Sequence, residues 1–304
     1  MNQTYPVATA PHIAGALTIP VAMRDVLLAL VPITVASVAI YGAPAATNLA
    51  LCLAACVALQ QLVGALKQAP ARMDGSALVT GTLLALCLPP SAPWWMPVLG
   101  SVLAIVVAKE LVGGLGWNYF NPALFGRAML ILLGAPLSRL GTQAMTAVAG
   151  MDAVTSATPM ALAQAGVQVP GYGALLLGYR GGSLAETSAL AVLIGGLYLV
   201  WRGHVPARIP GVMLGTVAAL ALVTGRDPVF HVLAGGLMIG AFFMATDWVT
   251  RPVTPKGMLL FAAGAGFLVA VFRFWMPPPE GVAFAVLIMN PMARWLERVT
   301  PPQW

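Results

Sequence analysis

Long apolar runs, separated by short polar or Pro-rich segments, occupy nearly the whole chain. Because a helix needs about 20 mostly apolar residues to cross the hydrocarbon core of a bilayer, runs of this kind predict transmembrane helices. The candidate runs are 26–42, 46–66, 77–90, 97–112, 122–137, 187–201, 209–224, 229–246, 257–275 and 281–296. The pattern predicts an all-α polytopic membrane protein with about ten transmembrane helices.

Composition agrees with a membrane protein. Of 304 residues, 60% are hydrophobic and 8% are charged, with a mean hydropathy of +0.89, which excludes an ordinary soluble domain. A net charge of +6 would suggest nucleic acid in a soluble protein, but the Lys and Arg residues lie mainly between the apolar runs. We therefore expect the lipid bilayer as a partner, and no nucleic acid.

The basic residues between the runs predict the orientation of the chain. Tracing the runs from a cytoplasmic N-terminus places nine basic residues inside: Arg24, Lys67, Arg72, Arg202, Arg208, Arg251, Lys256, Arg294 and Arg298. It places four outside: Arg139, Arg180, Arg226 and Arg273. This excess satisfies the positive-inside rule. We expect a first run retained as a span, both termini in the cytoplasm, and segment 138–186 as a loop on the outer, periplasmic side.

Two short motifs recur five runs apart. Asn121-Pro122 is followed by Arg127, and Asn290-Pro291 is followed by Arg294. Within one membrane domain, 1–304, this predicts two inverted five-span halves, 1–137 and 187–304, with broken helices. Such repeats place a site near the bilayer midplane.

Polar groups within or beside apolar runs are candidates for function, because an isolated ionisable group there costs several kcal/mol. They are Glu110, Asn121, Arg127, Asp247 and Asn290. The structural alternative is a pair between Arg127 and a carboxylate that only holds helices together.

Metal ligands are sparse. Cys52, Cys56 and Cys87 lie in apolar runs without a C-x-x-C spacing, which is typical of small core residues. The three His residues are scattered. We predict no metal site and no catalytic residue.

The segment from Asp152 to Ala161 carries a group of hydroxyl side chains followed by Pro159. From spacing alone it would be an exposed turn or a helix cap.

The chain nevertheless resembles the NqrB/RnfD family along nearly its whole length. The strings that carry the resemblance are Arg24-Asp25, Gly113-Gly-Leu-Gly116, Phe120-Asn-Pro-Ala-Leu-Phe-Gly-Arg127, Thr155-Ser-Ala-Thr-Pro159, Phe243-Met-Ala-Thr-Asp247 with its continuation to Gly257, and Pro279-Glu-Gly to Asn290.

The resemblance implies a covalent flavin. In the family, a flavin transferase attaches FMN from FAD through a phosphoester to the last Thr of an Asp-x-x-Ser/Thr-x-Ala-Thr motif, which is Thr158 here. Asp152, Thr155 and Ala157 fit the motif. Ala153 and Ser156 stand where members often have Gly. Members also hold a non-covalent riboflavin within the spans, and its residues cannot be assigned from the sequence.

Within the family, the chain looks more like the RnfD type than the NqrB type, because its first apolar run already begins at Val26. This implies an electron-transfer subunit of an ion-translocating ferredoxin:NAD oxidoreductase complex in the bacterial inner membrane. Its partners would be subunits of the A, B, C, E and G types. The alternatives are an NqrB-like subunit of a Na⁺-pumping NADH:quinone reductase, a non-redox solute channel or transporter, and a scaffold without flavin.

Overall fold

A computed structural model describes residues 18–68, 74–138, 158–166, 168–178, 181–276 and 281–301. The helices in these ranges are α1 (Ile19–Tyr41), α2 (Ala43–Leu66), α3 (Ser76–Cys87), α4 (Trp95–Ser101, continued by a π-helix at Val102–Glu110), α5 (Pro122–Ser138), α6 (Pro159–Gln164), α7 (Tyr172–Leu177), α8 (Ala189–Trp201), α9 (Arg208–Val223), α10 (Pro228–Leu233), α11 (Leu237–Ile239, continued by a π-helix at Gly240–Met244), α12 (Pro255–Trp275) and α13 (Val282–Val299). Every regular element in these ranges is helical, so the predicted all-α class is confirmed. Of them, α1, α2 and α12 meet both the length and the hydropathy of a membrane span.

The first helix begins at Ile19, seven residues before the apolar run that predicted it. Pro20 in the first turn favours a helix start, because its missing N–H has no partner to lose there. The helix then continues through Arg24 and the buried Asp25, whose charge is neutralised by Arg202 of the segment after α8. The expected start at Val26 was wrong because this partner lies far away in sequence.

The third helix ends at Cys87 rather than at residue 90, because Pro89 and Pro90 follow and cannot donate backbone hydrogen bonds. The carbonyls at the break are all paired. Arg127 donates to Cys87 O, the Leu184 N–H donates to Leu88 O at 3.0 Å, and Asn48 Nδ2 donates to Pro89 O at 2.9 Å. An irregular segment among apolar helices needs such partners.

The eighth apolar run is also broken, between α10 and α11. Gly235 and Gly236 there have φ of 69° and 66°, a backbone conformation that L side chains rarely adopt. The buried Arg273 of α12 donates to three carbonyls at this break, those of His231, Ala234 and Gly235. One side chain thus stabilises the whole break.

The two halves of the chain pack through comparable neighbours. In the first half α2 packs on α3 and α4, and α5 packs on α4; in the second half α9 packs on α10 and α12, and α13 packs on α12. α1 packs against α8, and α5 against α13, across the halves. This pattern agrees with two five-span repeats, whose inverted relation stays a prediction, as do the boundaries of the halves.

The segment 138–186, expected as a loop, is partly helical where the structure describes it. It contains α6, α7 and a short 3₁₀ turn at Leu184–Glu186. These helices lie against the broken part of the second half, since α7 contacts α8 and α10.

Candidate functional site

Thr158 begins α6. Its hydroxyl oxygen accepts a hydrogen bond from the Ala161 N–H at 3.1 Å, and Pro159 occupies the first helical turn. The side chain is buried, with 8% of its surface exposed. Of the two structures that the spacing allowed, an exposed turn and a helix cap, the structure has the helix cap at Thr158. The other predicted motif residues, Asp152, Thr155, Ser156 and Ala157, lie outside the described residues.

Helix α6 is attached to the broken region of the second half. Its Met160 packs with Phe230 and Ala234 of the α10 segment. At its other end, Gln164 Nε2 donates to the carbonyl of Arg273 at 3.2 Å. Thr158 therefore lies beside the break that Arg273 stabilises.

A small crevice of about 40 Å³ lies next to this break, and we call it the Arg127 crevice. Its lining residues include Arg127, Glu186 and Gly235. Gly235 connects the crevice to α6, because a Cβ added there would lie 2.8 Å from Met160 Cγ. Glu186 accepts a hydrogen bond from Ser183 Oγ at 2.8 Å. Charges of both signs thus line a narrow space close to α6.

Glu110 lies elsewhere. Its carboxylate pairs with Lys67 Nζ at 3.1 Å, and it lines neither the Arg127 crevice nor the larger cavity described below. Arg127 donates to the carbonyl that ends α3. The structure therefore gives both groups structural partners.

The two Asn-Pro motifs meet in the structure. The Asn121 N–H donates to Asn290 Oδ1 at 3.1 Å, although the two residues are 169 positions apart. Asn121 Nδ2 donates to Met244 O at 3.4 Å, and Asn290 Nδ2 donates to Thr250 O at 3.3 Å. Sequence reasoning recognised the two Asn residues as a repeated motif, and the fold joins them at the contact between the halves.

A second cavity, of about 260 Å³, begins at this contact, and we call it the large cavity. Its wall is mostly apolar, with polar side chains at intervals. Those polar residues are Ser76, Thr80, Lys109, Asn118, Asn121, His204, Thr246 and Asp247. Asn121 lines the large cavity and binds the carbonyl of Met244, which lines the Arg127 crevice. The two spaces therefore approach one another on either side of one packed layer.

Two of the predicted polar residues, Asn121 and Asp247, line the large cavity. The Asp247 carboxylate accepts hydrogen bonds from the Val249 N–H at 3.3 Å and the Thr250 hydroxyl at 3.2 Å. Both of its oxygens are thus engaged in capping the turn that follows the π-helix.

Sequence reasoning missed three buried polar residues near this cavity. Lys109 donates to Gln60 Oε1 and Ser76 Oγ, each at 2.6 Å. Asp25 and His204 form a second group, joined at 2.8 Å. The only signal for these residues in the sequence is that Lys109 and Asp25 are charged and stand within or beside apolar runs.

No group of three or more His, Cys, Asp or Glu residues in the described part of the chain could hold a metal ion. Cys52, Cys56 and Cys87 are buried free thiols. Their burial agrees with the prediction of small core residues.

Known proteins resemble the chain over almost all of its length. Residues 6–304 match the NQR2, RnfD, RnfE family. A relative from Acetobacterium woodii, the D-type subunit of the Na(+)-translocating ferredoxin:NAD(+) oxidoreductase complex, is 41% identical over 300 residues, which cover 97% of this chain and 93% of the relative.

Two further relatives carry similar names. The D-type subunit of the proton-translocating ferredoxin:NAD(+) oxidoreductase complex of Clostridium ljungdahlii is 40% identical over 316 residues, covering 98% of this chain and 95% of the relative. The D-type subunit of an ion-translocating oxidoreductase complex of Stutzerimonas stutzeri is 42% identical over 319 residues, covering 92% and 90%. The family predicted from the sequence strings is confirmed. The chain belongs to the NQR2, RnfD, RnfE family.

Proposed function

We propose that the chain is the RnfD-type subunit of an ion-translocating ferredoxin:NAD oxidoreductase complex in the bacterial inner membrane. The proposal is supported by relatives named as such subunits, which match more than 90% of this chain and at least 90% of their own length. As one subunit of several, the chain works with partners of the A, B, C, E and G types and is not catalytically complete alone.

The chain's own task in this complex is to carry electrons through FMN bound covalently to Thr158. The observation that carries this proposal is the position of Thr158. This residue is the final Thr of the flavin motif, and it caps α6. Met160 of α6 lies next to Gly235, which lines the Arg127 crevice. A flavin accepts electrons singly or in pairs, and the protein holds it in place and sets its surroundings. Arg127 lines this crevice and would lie beside a flavin bound there.

The attachment step requires a flavin transferase. Thr158 Oγ1 forms a bond to the phosphorus of the FMN half of FAD, the pyrophosphate P–O bond breaks, AMP leaves with the electron pair, and the hydroxyl proton is released to water. Because the folded structure buries this hydroxyl, the step needs α6 to be away from its packed position. We therefore expect attachment to occur before α6 docks against α12.

We propose that a second, non-covalent flavin occupies the large cavity. Ligand pockets are mostly apolar, with a few polar groups that fix orientation, and measure roughly 300–1,000 Å³. The large cavity has this chemistry, and its volume of about 260 Å³ lies just below this range. The packed layer around Asn121, Asn290 and Met244 would then separate the two flavins.

The coupling ion depends on features finer than overall sequence similarity. The relatives from Acetobacterium woodii and Clostridium ljungdahlii are named for Na(+) and proton translocation, yet they are 41% and 40% identical to this chain. Overall similarity does not separate the two ions, so the difference must lie in individual side chains or in other subunits.

The test of this proposal is whether flavin is covalently bound to this chain. The protein is expressed with and without a flavin transferase, separated on a denaturing gel and viewed under ultraviolet light, beside the isosteric variant Thr158→Val. A band that is fluorescent only with the transferase and the native Thr158 supports the proposal. A correctly inserted protein with no fluorescence under either condition contradicts it, and favours the solute channel or the scaffold without flavin.

A further inference from the structure

A chain of hydrogen bonds leads from the large cavity to the segment before α3. Lys109, near the end of the π-helix that continues α4, is 2% exposed and lines the cavity. Its Nζ donates to Ser76 Oγ at 2.6 Å. The Ser76 hydroxyl in turn donates to Asp74 Oδ1, also at 2.6 Å. Asp74 is only partly buried, so the chain runs from a buried ammonium to a carboxylate within reach of water.

The outer end of this chain lies on the predicted cytoplasmic side. Asp74 stands two positions after Arg72, which the distribution of basic residues places inside. Partial burial acts to raise the pKa of the Asp74 carboxyl, but hydrogen bonds from the hydroxyl and the N–H of Ser76 outweigh it and hold the pKa below its ordinary value. Asp74 is therefore ionised at neutral pH.

The directions of the hydrogen bonds follow from the chemistry of the groups. An ionised carboxylate can only accept, so the single hydroxyl hydrogen of Ser76 is directed at Asp74 rather than at Gln60 Oε1, which lies 3.4 Å away. Ser76 Oγ is then the acceptor for Lys109, and Gln60 Oε1 accepts a second hydrogen bond from Lys109 Nζ at 2.6 Å. In both links of the chain the hydrogen points from the cavity towards the surface.

A second buried network borders the cavity but cannot pass a proton to the surface in this way. His204 lines the cavity, and its Nε2 lies 2.8 Å from Asp25 Oδ2. That carboxylate is 1% exposed and accepts a hydrogen bond from Arg202 at 2.6 Å. The network reaches the surface through a guanidinium, which does not release its proton in proteins. Lys109, by contrast, is connected with a carboxylate that exchanges protons with water.

A redox group in the large cavity needs such an exchange. Two-electron reduction of a flavin takes up two protons, and reoxidation releases them. The cavity wall is mostly apolar, and an unpaired charge in apolar surroundings is strongly unfavourable. Electrons can therefore pass through the cavity readily only if protons can enter and leave it.

We propose that Lys109, Ser76 and Asp74 form a proton path between a redox group in the large cavity and the cytoplasmic surface. The inference rests on the non-covalent flavin of the proposed function. On oxidation of that flavin its electrons pass to the next carrier of the complex, and its protons leave along this path.

Each proton crosses in balanced steps. Lys109 gives one hydrogen of its ammonium to Ser76 Oγ while Ser76 gives its own hydrogen to Asp74. The resulting amine takes a proton from the group in the cavity, and the Asp74 carboxyl releases one to water. The Ser76 hydroxyl then turns back towards Asp74, so one proton has crossed and every side chain is unchanged. Uptake on reduction follows the same steps in reverse.

The test uses purified full-length protein loaded with riboflavin and reduced electrochemically. Rapid mixing with ferricyanide removes the electrons without itself exchanging protons, and a pH-indicator dye in weakly buffered solution records the protons released. The variant is Asp74→Asn, because the Asn oxygen still accepts from Ser76 but takes up no proton. We expect proton release to slow about a hundredfold, as for loss of a positioned proton-transfer group, while riboflavin affinity stays native.

Two controls separate proton transfer from support of the fold. Asp74→Glu keeps the carboxylate and should restore rapid release. Thr80→Val removes a hydroxyl one turn further along α3, which also lines the cavity but donates to the backbone carbonyl of Ser76 at 2.9 Å. This hydroxyl is not part of the chain, so Thr80→Val should release protons at the native rate.

Lys109→Arg separates proton transfer from charge. Arg keeps the positive charge, but its guanidinium does not release a proton. We expect release to be as slow as in Asp74→Asn. A native rate in Lys109→Arg would show that Lys109 contributes only its charge, and would overturn its place in the path.

The two levels of the proposal fail differently. Native protein that binds riboflavin, with native release rates in both Asp74→Asn and Lys109→Arg, overturns the path and leaves the non-covalent flavin standing. Equal slowing in Asp74→Asn and Thr80→Val also overturns the path, because it shows a disturbed fold. Native protein that binds no riboflavin overturns both levels. Elution of each variant as a monodisperse peak in size-exclusion chromatography controls for misfolding.

Discussion

Two helices of this protein begin in the same way, α6 at Thr158-Pro159 and α12 at Thr254-Pro255. In each, the Thr hydroxyl accepts a hydrogen bond from the N–H three residues on, at 3.1 Å in α6 and 3.2 Å in α12. Both side chains are buried, at 8% and 7% exposure. The local geometry of the two sites is almost identical.

The residues before each Thr are different. Thr158 follows Asp152, Thr155 and Ala157, at six, three and one positions before it. The same positions before Thr254 hold Trp248, Arg251 and Val253, which do not fit the flavin motif. A capping Thr is therefore common structural chemistry, and under the proposed function it is the preceding residues that distinguish the Thr that would be modified.

The helices that follow also differ in size and attachment. α6 has six residues, whereas α12 has 21 and carries Arg273, which stabilises the break after α10. The Thr254 hydroxyl also lies 2.8 Å from the Thr300 hydroxyl. Loss of the Thr254 cap should therefore lower the stability of the whole protein, whereas loss of the Thr158 cap should destabilise only a short segment.

The largest expected effect is on covalent flavin. Asn caps helices as well as Thr does but has no hydroxyl to esterify. With a flavin transferase present, Thr158→Asn should reduce in-gel flavin fluorescence to background, while Thr254→Asn should keep the native signal. Fluorescence that persists in Thr158→Asn would place the flavin on another residue.

Thr254→Ala should destabilise the whole protein by about 1–2 kcal/mol, because a long buried helix loses its cap. The measurement is thermal unfolding in detergent, with Thr254→Ser as the matched control that keeps the hydroxyl. An unfolding temperature equal to that of the native protein would show that this cap is dispensable.

Thr158→Ala should destabilise α6 by about 1 kcal/mol without lowering the stability of the rest of the protein. Amide hydrogen exchange at 160–164 should become faster, while the global unfolding temperature stays close to that of the native protein. Thr158→Asn, which keeps the cap, should leave exchange unchanged. A global loss as large as in Thr254→Ala would show that α6 holds the second half together.

The smallest effect is expected at Thr300. Its hydroxyl donates to Leu296 O at 2.7 Å, so Thr254 is the donor between the two hydroxyls. Thr300→Val keeps the shape and leaves the Thr254 cap intact, and it should cost about 0.5–1 kcal/mol in the same unfolding assay. A cost above that of Thr254→Ala would mean that Thr300 has a further role.

Local signals predicted much of this structure. The apolar runs indicated the helices, and Pro89-Pro90 explains the early end of α3. The cap of α6 was also readable, since a hydroxyl followed by Pro is a helix start signal. Each of these features depends on neighbours within a few positions.

Features that depend on distant partners were not predictable. Asp25 pairs with a residue 177 positions away, and nothing near Asp25 in the sequence indicates that partner. Asn121 and Asn290 were recognised as a repeated motif, but their contact follows from how the halves pack. The burial of Thr158 likewise arises from packing against α10 and α12.

The most direct test of the account is mass spectrometry of the peptides that carry the two Thr residues, from protein expressed with a flavin transferase. Trypsin separates them, because Arg139 and Arg180 bound the peptide of Thr158 and Lys256 follows Thr254. The account predicts the mass of FMN less one water on the Thr158 peptide, fragmentation that places it on Thr158, and an unmodified Thr254 peptide. An unmodified Thr158 peptide, with or without flavin elsewhere, would contradict it.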